Sequence, residues 1–285
     1  MDGIVSCVKH SQAQGDRYTI AWCGGGFESA ICEDKISLIA GDVVGISADG
    51  IDLSEHREKY REEIYAALDK TIARESMNRL YVKGIEGLDK VTAKLWDKLH
   101  CASLLFMRKL LLGIPIIIRF HNDADGSSGA CCVYMGIKDL AKRVKFSSNI
   151  VWVMNKGVSY SVAEAQSDIL TANNYTSIEK PLLMIIDFGT AIESNSGIAA
   201  LGEKFDVIWL DHHPVVRGFE GTRIEHYINP WSYAGDSNYT AGLLASAFSK
   251  NFGVVVYLRK SIIALPGICC AKPCAVAYVP CRYCF

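Results

Sequence analysis

Four short apolar runs in the middle of the chain constrain the fold most strongly. They lack the polar alternation of half-exposed strands and occupy residues 114–120, 150–154, 182–186 and 207–210. β-Branched and aromatic residues are frequent in them, which is typical of strands covered on both faces. Segments compatible with helices separate the runs, at about 127–143, 161–172 and 194–203. This alternation predicts an α/β fold with a parallel sheet, right-handed crossovers and helices on both faces.

Changes in pattern divide the chain into four regions. We expect a small β-rich segment, a helical region, the α/β domain and an atypical cysteine-rich tail, at 1–52, 53–112, 113–250 and 251–285 respectively. Strands are expected at 18–22 and 43–46. The glycines at 24–26 lack the Lys-Ser/Thr of a P-loop and the spacing of a dinucleotide-binding motif, so we expect a flexible turn there. Amphipathic periodicity predicts a helix that includes 60–72 and a second helix from about 88 to 112.

Polar side chains follow three of the apolar runs at the point where each run ends. They are His121, Asp123, Asp125, Asp187, Asp211, His212 and His213. Because parallel strands end at one edge of a sheet, where ligands bind, we expect these side chains to converge. Clustered carboxylates need cations to remain ionised together. Aspartate and histidine without cysteine favour two Mn²⁺ ions that share a carboxylate, with Mg²⁺ as the alternative.

The first polar cluster is followed directly by the start of a helix. Gly126, Ser127 and Ser128 lie there and could offer backbone N–H groups and hydroxyls to a phosphate. Taken alone, Asp123 or Asp125 would be an ordinary helix cap or turn residue. Their coincidence with polar residues at two further strand ends favours the metal site.

Overall charge and hydropathy limit the protein's surroundings. The chain has 285 residues, half of them hydrophobic, and a net charge of −1, so it offers no overall electrostatic case for a nucleic acid or membrane surface. No apolar stretch reaches the roughly 20 residues of a bilayer span, and we expect a cytoplasmic protein with reduced thiols. Near the end, Cys281 and Cys284 have zinc-knuckle spacing, which leaves structural zinc and incidental thiols as alternatives.

Three motifs resemble those of the DHH phosphoesterase superfamily, in its RecJ-like branch. They are His-Asn-Asp-Ala-Asp-Gly-Ser-Ser-Gly-Ala at 121–130, Asp-Phe-Gly at 187–189 and Asp-His-His-Pro at 211–214. Ile-Asn-Pro at 228–230 and the helix opening at 239–244 are similar to archaeal members. The resemblance covers about residues 114–250.

This resemblance assigns roles to the polar residues. It implies that two Mn²⁺ ions are held by His121, Asp123, Asp125, Asp187 and His212, with Asp187 as the bridge. Asp211 would complete or orient the cluster, and His213 would contact the scissile phosphate. Asp187, His212 and His213 are thus the expected catalytic residues.

Two departures from the family pattern stand out. The fourth motif of the family supplies another aspartate, yet no Asp or Glu follows Asp236, which itself precedes a helix and is a candidate cap. The substrate-gripping DHH-associated domain of the family also does not fit into the residues after Lys250, and the composition of the tail suggests truncation.

The resemblance implies an exonuclease that degrades single-stranded DNA or RNA by two-metal hydrolysis. Alternatives are hydrolysis of short oligonucleotides, cyclic dinucleotides or nucleotide phosphates by the same cluster. A noncatalytic component of a DNA-replication complex is a further alternative. The expected partners are therefore single-stranded nucleic acid or a short oligonucleotide, with replication or repair proteins, and no membrane.

Overall fold

A computed structural model describes most of the α/β region and parts of the segment before it. The described residues are 2–9, 16–22, 27–32, 43–47, 50–53, 89–142, 149–175 and 177–252. The expected turn at 24–26, the helix that includes 60–72 and the cysteines of the tail lie outside these residues.

The described part of the N-terminal segment contains an antiparallel sheet of five strands. In spatial order the strands are β3-β2-β1-β4-β5. Their bounds are β1 Asp2–Lys9, β2 Asp16–Trp22, β3 Phe27–Cys32, β4 Val43–Ser47 and β5 Gly50–Leu53. The strands predicted at 18–22 and 43–46 are confirmed.

The second sheet is parallel and forms the centre of the α/β domain. Its spatial order is β10-β9-β8-β6-β7. The strands are β6 Ile116–His121, β7 Ile150–Asn155, β8 Leu182–Ile186, β9 Asp206–Leu210 and β10 His226–Ile228. All of its pairings are parallel. Four of these strands are the four apolar runs, whereas the short β10 was not predicted.

In the described part of the chain, five α-helices accompany this sheet. They are α1 Asp89–Leu111, α2 Ala124–Leu140, α3 Val162–Ala172, α4 Asn195–Leu201 and α5 Ala241–Lys250. Short 3₁₀ helices occur at Ile192–Ser194, Glu220–Arg223 and Pro230–Tyr233. The helix predicted from about 88 to 112 is confirmed, as are the helices between the strands. No helix among the described residues is both long and apolar enough to span a bilayer.

Successive strand residues point into two separate cores, one on each face of the sheet. On one face, Met184 and Ile186 pack with residues of α1, α2 and α5. On the other face, Leu183 and Ile185 pack with residues of α3 and α4. Both faces of β8 are fully covered, which explains why its sequence is apolar throughout rather than alternating. The predicted α/β fold with helices on both faces is confirmed.

A buried ion pair ties β6 to α3. Nε of Arg119 donates to both carboxylate oxygens of Asp168, at 2.9 and 2.7 Å. The hydroxyl of Tyr160 donates to the same carboxylate at 2.9 Å, and Asn155 accepts from the guanidinium. Arg119 and Asp168 are 4% and 1% exposed, so each charge depends on these partners for compensation.

Candidate metal centre

The ends of three adjacent strands bring the predicted ligands together. His121 ends β6, Asp187 follows β8 and Asp211 begins the segment after β9. Two groups of ligand atoms form there among the described residues, and within each group the atoms lie within 4.8 Å of one another. We call them the first ligand set and the second ligand set; they consist of His121, Asp123 and Asp187, and of Asp187, His212 and His213. Asp187 belongs to both.

Asp187 occupies an unfavourable position. Its φ of 69° lies in the left-handed region, which is costly for a residue with a Cβ atom. The residue is 1% exposed, and neither carboxylate oxygen accepts a properly oriented hydrogen bond. Burial raises the pKa of its carboxyl to about 7; His212 opposes this shift, and Asp125 and Asp123 add to it. A left-handed backbone and a buried carboxylate without a well-oriented hydrogen bond at one residue indicate a functional role.

The turn after β8 holds Asp187 in this position. Gly189 has a φ of 95°, and a Cβ atom there would collide with the Trp209 ring. Trp209 also donates its indole N–H to the carbonyl of Phe188 at 2.8 Å. The Asp-Phe-Gly motif therefore needs its glycine for both backbone conformation and space.

His121 and Asp123 are held in place by close packing at the start of α2. Nδ1 of His121 lies 2.8 Å from Oδ2 of Asp123, whose Oδ1 accepts from the backbone N–H of Gly126 at 2.9 Å. Burial opposes ionisation of Asp123, but these two partners outweigh it and lower its pKa. A side chain at Gly126 would overlap the backbone of His121. Glycine at this position thus lets the helix start directly over the strand end.

Asp125 links the start of α2 to α5, a helix that is distant in sequence. Its two carboxylate oxygens accept from the backbone N–H groups of Ala241 and Gly242, each at 2.8 Å, at the start of α5. Nε2 of His212 lies 3.4 Å from the same carboxylate. Asp125 is near the cluster, as predicted, but it lies outside both ligand sets and has structural partners for both oxygens.

His212 is oriented from both sides of its ring. Nδ1 lies 3.0 Å from the carbonyl oxygen of Ser237, and Nε2 lies 3.2 Å from Oδ1 of Asp187. A carbonyl accepts only, so Nδ1 carries a proton and Nε2 is the nitrogen presented to the cluster. Burial lowers the pKa of His212, but Asp187 and Ser237 outweigh it and raise the pKa to about 9. A bound cation would take the place of the proton on Nε2.

Asp211 orients His213 rather than joining a ligand set. It is fully buried, and Oδ1 accepts from the His212 and His213 backbone N–H groups and lies 2.7 Å from Nδ1 of His213. Oδ2 accepts from the backbone N–H and hydroxyl of Thr190. Burial opposes ionisation of Asp211, yet His213 and Thr190 lower its pKa, and Asp211 in turn raises the pKa of His213. Of the two roles predicted for Asp211, this geometry favours the orienting one.

The predicted phosphate donors have other partners. The N–H of Gly126 is used by Asp123, and the hydroxyl of Ser128 donates to the carbonyl of Asp125 at 2.9 Å. The backbone N–H of Ser127 donates to the carbonyl of Asp123. The first turn of α2 thus already uses these N–H groups and the Ser128 hydroxyl. A phosphate role for Gly126, Ser127, Ser128 and His213 stays a prediction.

Sequence reasoning missed several residues that support the centre. Tyr227 contacts the hydroxyl of Thr190 at 3.1 Å, and Asn229 donates to Tyr227 and to the carbonyl of His213. Asp236 does not cap α5: its carboxylate accepts from Asn238, and the cap is Thr240. The local signals in the sequence were the proximity of Thr190 to the Asp-Phe-Gly motif and the position of Asn229 in the Ile-Asn-Pro motif.

The donor groups fit a hard or borderline divalent cation. Both carboxylate oxygens of Asp187 and Nδ1 of His121 are buried without a well-oriented hydrogen bond, and their close polar neighbours are other members of the two ligand sets. Mixed imidazole and carboxylate donors without a thiolate suit Mn²⁺. The arrangement can hold cations at two neighbouring positions that share Asp187.

Comparison with known proteins agrees with this architecture. No protein-family model matches the chain. An uncharacterized protein of Methanocaldococcus jannaschii is 26% identical over 234 residues, which is 77% of this chain and 29% of that relative. The DHH domain of a protein described as a member of a family of ribosomal proteins superposes with a TM-score of 0.60 and 21% identity. The chain has the fold of a DHH domain.

The matches differ in how much of each protein they cover. The structure from the ribosomal-protein family is matched over 74% of this chain and 51% of its own, so this chain spans about half of it. Manganese-containing structures of RecJ exonucleases, one from Thermus thermophilus, match with TM-scores of 0.44 and 0.45 and identities of 18% and 17%. They cover 60% and 71% of this chain, and 42% and 30% of their own.

Proposed function

We propose that this DHH domain is a metal-dependent phosphodiesterase of the RecJ-like branch that hydrolyses single-stranded nucleic acid with two Mn²⁺ ions. The observation that carries the proposal is Asp187, a buried residue with a left-handed backbone whose carboxylate accepts no well-oriented hydrogen bond and belongs to both ligand sets. A left-handed backbone and a buried, poorly hydrogen-bonded carboxylate both destabilise the fold, and their occurrence at one residue is typical of a functional site.

Each nearby side chain has a distinct task in this proposal. His121 and Asp123 would hold one cation with Asp187, and His212 would hold the other with the same carboxylate. When bound, the two cations would lower the pKa of a water and neutralise charge on the phosphate. Asp211 keeps Nδ1 of His213 engaged, so that the other ring nitrogen is available to the phosphate.

His213 also has the exposure that this task requires. Its side chain is 52% exposed, whereas those of His212 and Asp187 are 17% and 1% exposed. The imidazole therefore reaches solvent beside the buried ligands, where a phosphodiester can approach. Its raised pKa favours the protonated ring, which donates to an anionic oxygen.

Hydrolysis with matched variants tests the proposal. Labelled single-stranded DNA, single-stranded RNA and a dinucleotide are incubated with the protein in Mn²⁺ and in EDTA. We expect Mn²⁺-dependent cleavage of at least one strand, its loss in Asp187→Asn, and its retention in Asp139→Asn, which changes a carboxylate far along α2 that pairs with Lys142. Intact substrates with manganese-loaded wild-type protein would refute the proposal.

A further inference from the structure

The segment after β10 is hydrogen-bonded to the backbone of His212 and His213, which we call the histidine pair. Asn229 is fully buried and donates its side-chain amide to the carbonyl of His213 at 3.0 Å. The hydroxyl of Ser237 donates to the carbonyl of His212 at 2.9 Å. The short 3₁₀ helix Pro230–Tyr233 lies between these two attachments. Its position relative to the second ligand set is therefore fixed from both ends.

Trp231 is the tryptophan on this 3₁₀ helix. Its indole N–H donates to the carbonyl of His212 at 3.2 Å and to the hydroxyl of Ser237 at 3.1 Å. Its backbone N–H donates to the side chain of Asn229 at 3.0 Å. Both its backbone and its side chain are thus held against groups that contact the histidine pair, and the ring can move little.

The exposure of Trp231 is unusual for its type. It is 41% exposed, whereas Trp209 is 1% exposed. Trp152 is half-buried, and its ring packs edge-to-face on Tyr134. The polar atom of the Trp231 ring is already satisfied, so the exposed part of the indole offers only its apolar and π surface. A rigid, satisfied indole next to a ligand histidine is suited to stacking on a flat partner.

We propose that Trp231 is the stacking platform for a nucleobase of the substrate, on the nucleotide whose phosphate lies at the two ligand sets. This inference rests on the proposed function and narrows the substrate to phosphoesters that carry an unpaired base. A base within a duplex is stacked on both sides and could not occupy this surface. The same contact would be absent for sugar phosphates and inorganic esters.

A purely structural role for Trp231 makes a different prediction. In that role ligand binding would depend on the hydrogen bonds from its indole N–H to His212 and Ser237, and not on its exposed aromatic surface. Trp231→Phe removes those hydrogen bonds and keeps an aromatic face, whereas Trp231→Leu removes both and keeps apolar bulk. Trp152→Leu is the matched control, because it removes a partly exposed tryptophan from the edge strand β7.

Binding of AMP and of ribose 5-phosphate isolates the contribution of the base. Isothermal titration calorimetry in Mn²⁺ measures both ligands with wild type and the three variants. Because stacking of one base is worth roughly 1–3 kcal/mol, we expect AMP to bind wild type about tenfold more tightly or better. Trp231→Leu should bind the two ligands equally, while Trp231→Phe and Trp152→Leu should keep most of the preference.

Four results would overturn the inference. They are equal affinities in wild type, no binding of either ligand, an undiminished preference for AMP in Trp231→Leu, and a Trp231→Phe variant that behaves like Trp231→Leu. The last of these would assign the residue a structural role instead. Manganese content measured on each variant shows that the ligand sets are intact. Cleavage of single strands by wild type separately decides the proposed function, so the two failures are distinguishable.

Discussion

Replacing Asp187 by glycine should stabilise the fold when no divalent ion is present. The left-handed backbone costs a residue with a Cβ atom about 1–2 kcal/mol. Removing a buried carboxylate without a hydrogen-bond partner gains about 1–3 kcal/mol. Against this, glycine has more freedom in the unfolded chain, which costs roughly 0.5–1 kcal/mol, and the contact with His212 is lost.

These contributions leave roughly 1–4 kcal/mol before the lost His212 contact is subtracted. We therefore expect a net gain of about 1–2 kcal/mol in the free energy of unfolding in EDTA, equivalent to roughly 2–6 °C in melting temperature. Saturating Mn²⁺ should invert the order. Wild type should gain about 2.7 kcal/mol at a free Mn²⁺ concentration of one hundred times Kd. The glycine variant lacks the shared ligand and should respond little.

Thermal unfolding followed by circular dichroism in EDTA and in Mn²⁺ checks both statements. Asp187→Asn keeps the side-chain shape and separates the effect of charge from that of backbone strain, and Asp139→Asn controls for loss of a carboxylate elsewhere. If the glycine variant melts below wild type in EDTA, the strain argument is wrong. If Mn²⁺ raises its melting temperature as much as that of wild type, Asp187 is not the shared ligand.

Three further changes test other parts of the domain. Asp211→Asn should lower kcat on single strands by about 10–100-fold, because His213 loses its orienting partner; unchanged manganese content with unchanged kcat would contradict this. Asp168→Ala should cost about 3–5 kcal/mol in denaturant unfolding, because the charge of Arg119 stays buried without its carboxylate; a cost below about 1 kcal/mol would be inconsistent with that role. Burial lowers the pKa of His226 below its ordinary 6.5, so the unfolded chain binds the proton more readily and stability falls as the pH drops below about 6.5. His226→Gln should lose less stability than wild type between pH 7.5 and 5.5, and parallel losses would contradict this assignment.

The local sequence pattern was sufficient to predict four strands of the parallel sheet and the helices between them. It was also sufficient to predict that the candidate ligands lie close together. Strands buried on both faces leave continuous apolar runs, and parallel pairing then places His121 and Asp187 at one edge without further information. The three-residue β10 was missed because it is too short to show a period. Its pairing depends on β9, not on its own sequence.

The roles of individual oxygens could not be predicted from spacing. Asp125 and Asp211 occupy similar positions after strands, yet the partners that engage their carboxylates include Ala241, Gly242 and Thr190, which are distant in sequence. Which carboxylate remains free for a cation is decided by tertiary contacts alone. Asp187 is distinguished by its φ and by the lack of a well-oriented hydrogen bond to its carboxylate, and neither property can be read from the sequence.

The bond between Asp125 and the start of α5 has a consequence for the order of assembly. It joins residues 116 positions apart, and contacts of such long separation form only after the intervening chain is organised. During synthesis, a nascent chain that ends at residue 240 presents Asp125 without its two amide donors. Without these donors the start of α2, where Asp123 lies, is not attached to α5, so we expect affinity for Mn²⁺ to require α5, and released chains that end at residues 240 and 252 should differ in manganese retention. The growing chain would thus complete the candidate metal centre only after α5 has been synthesised.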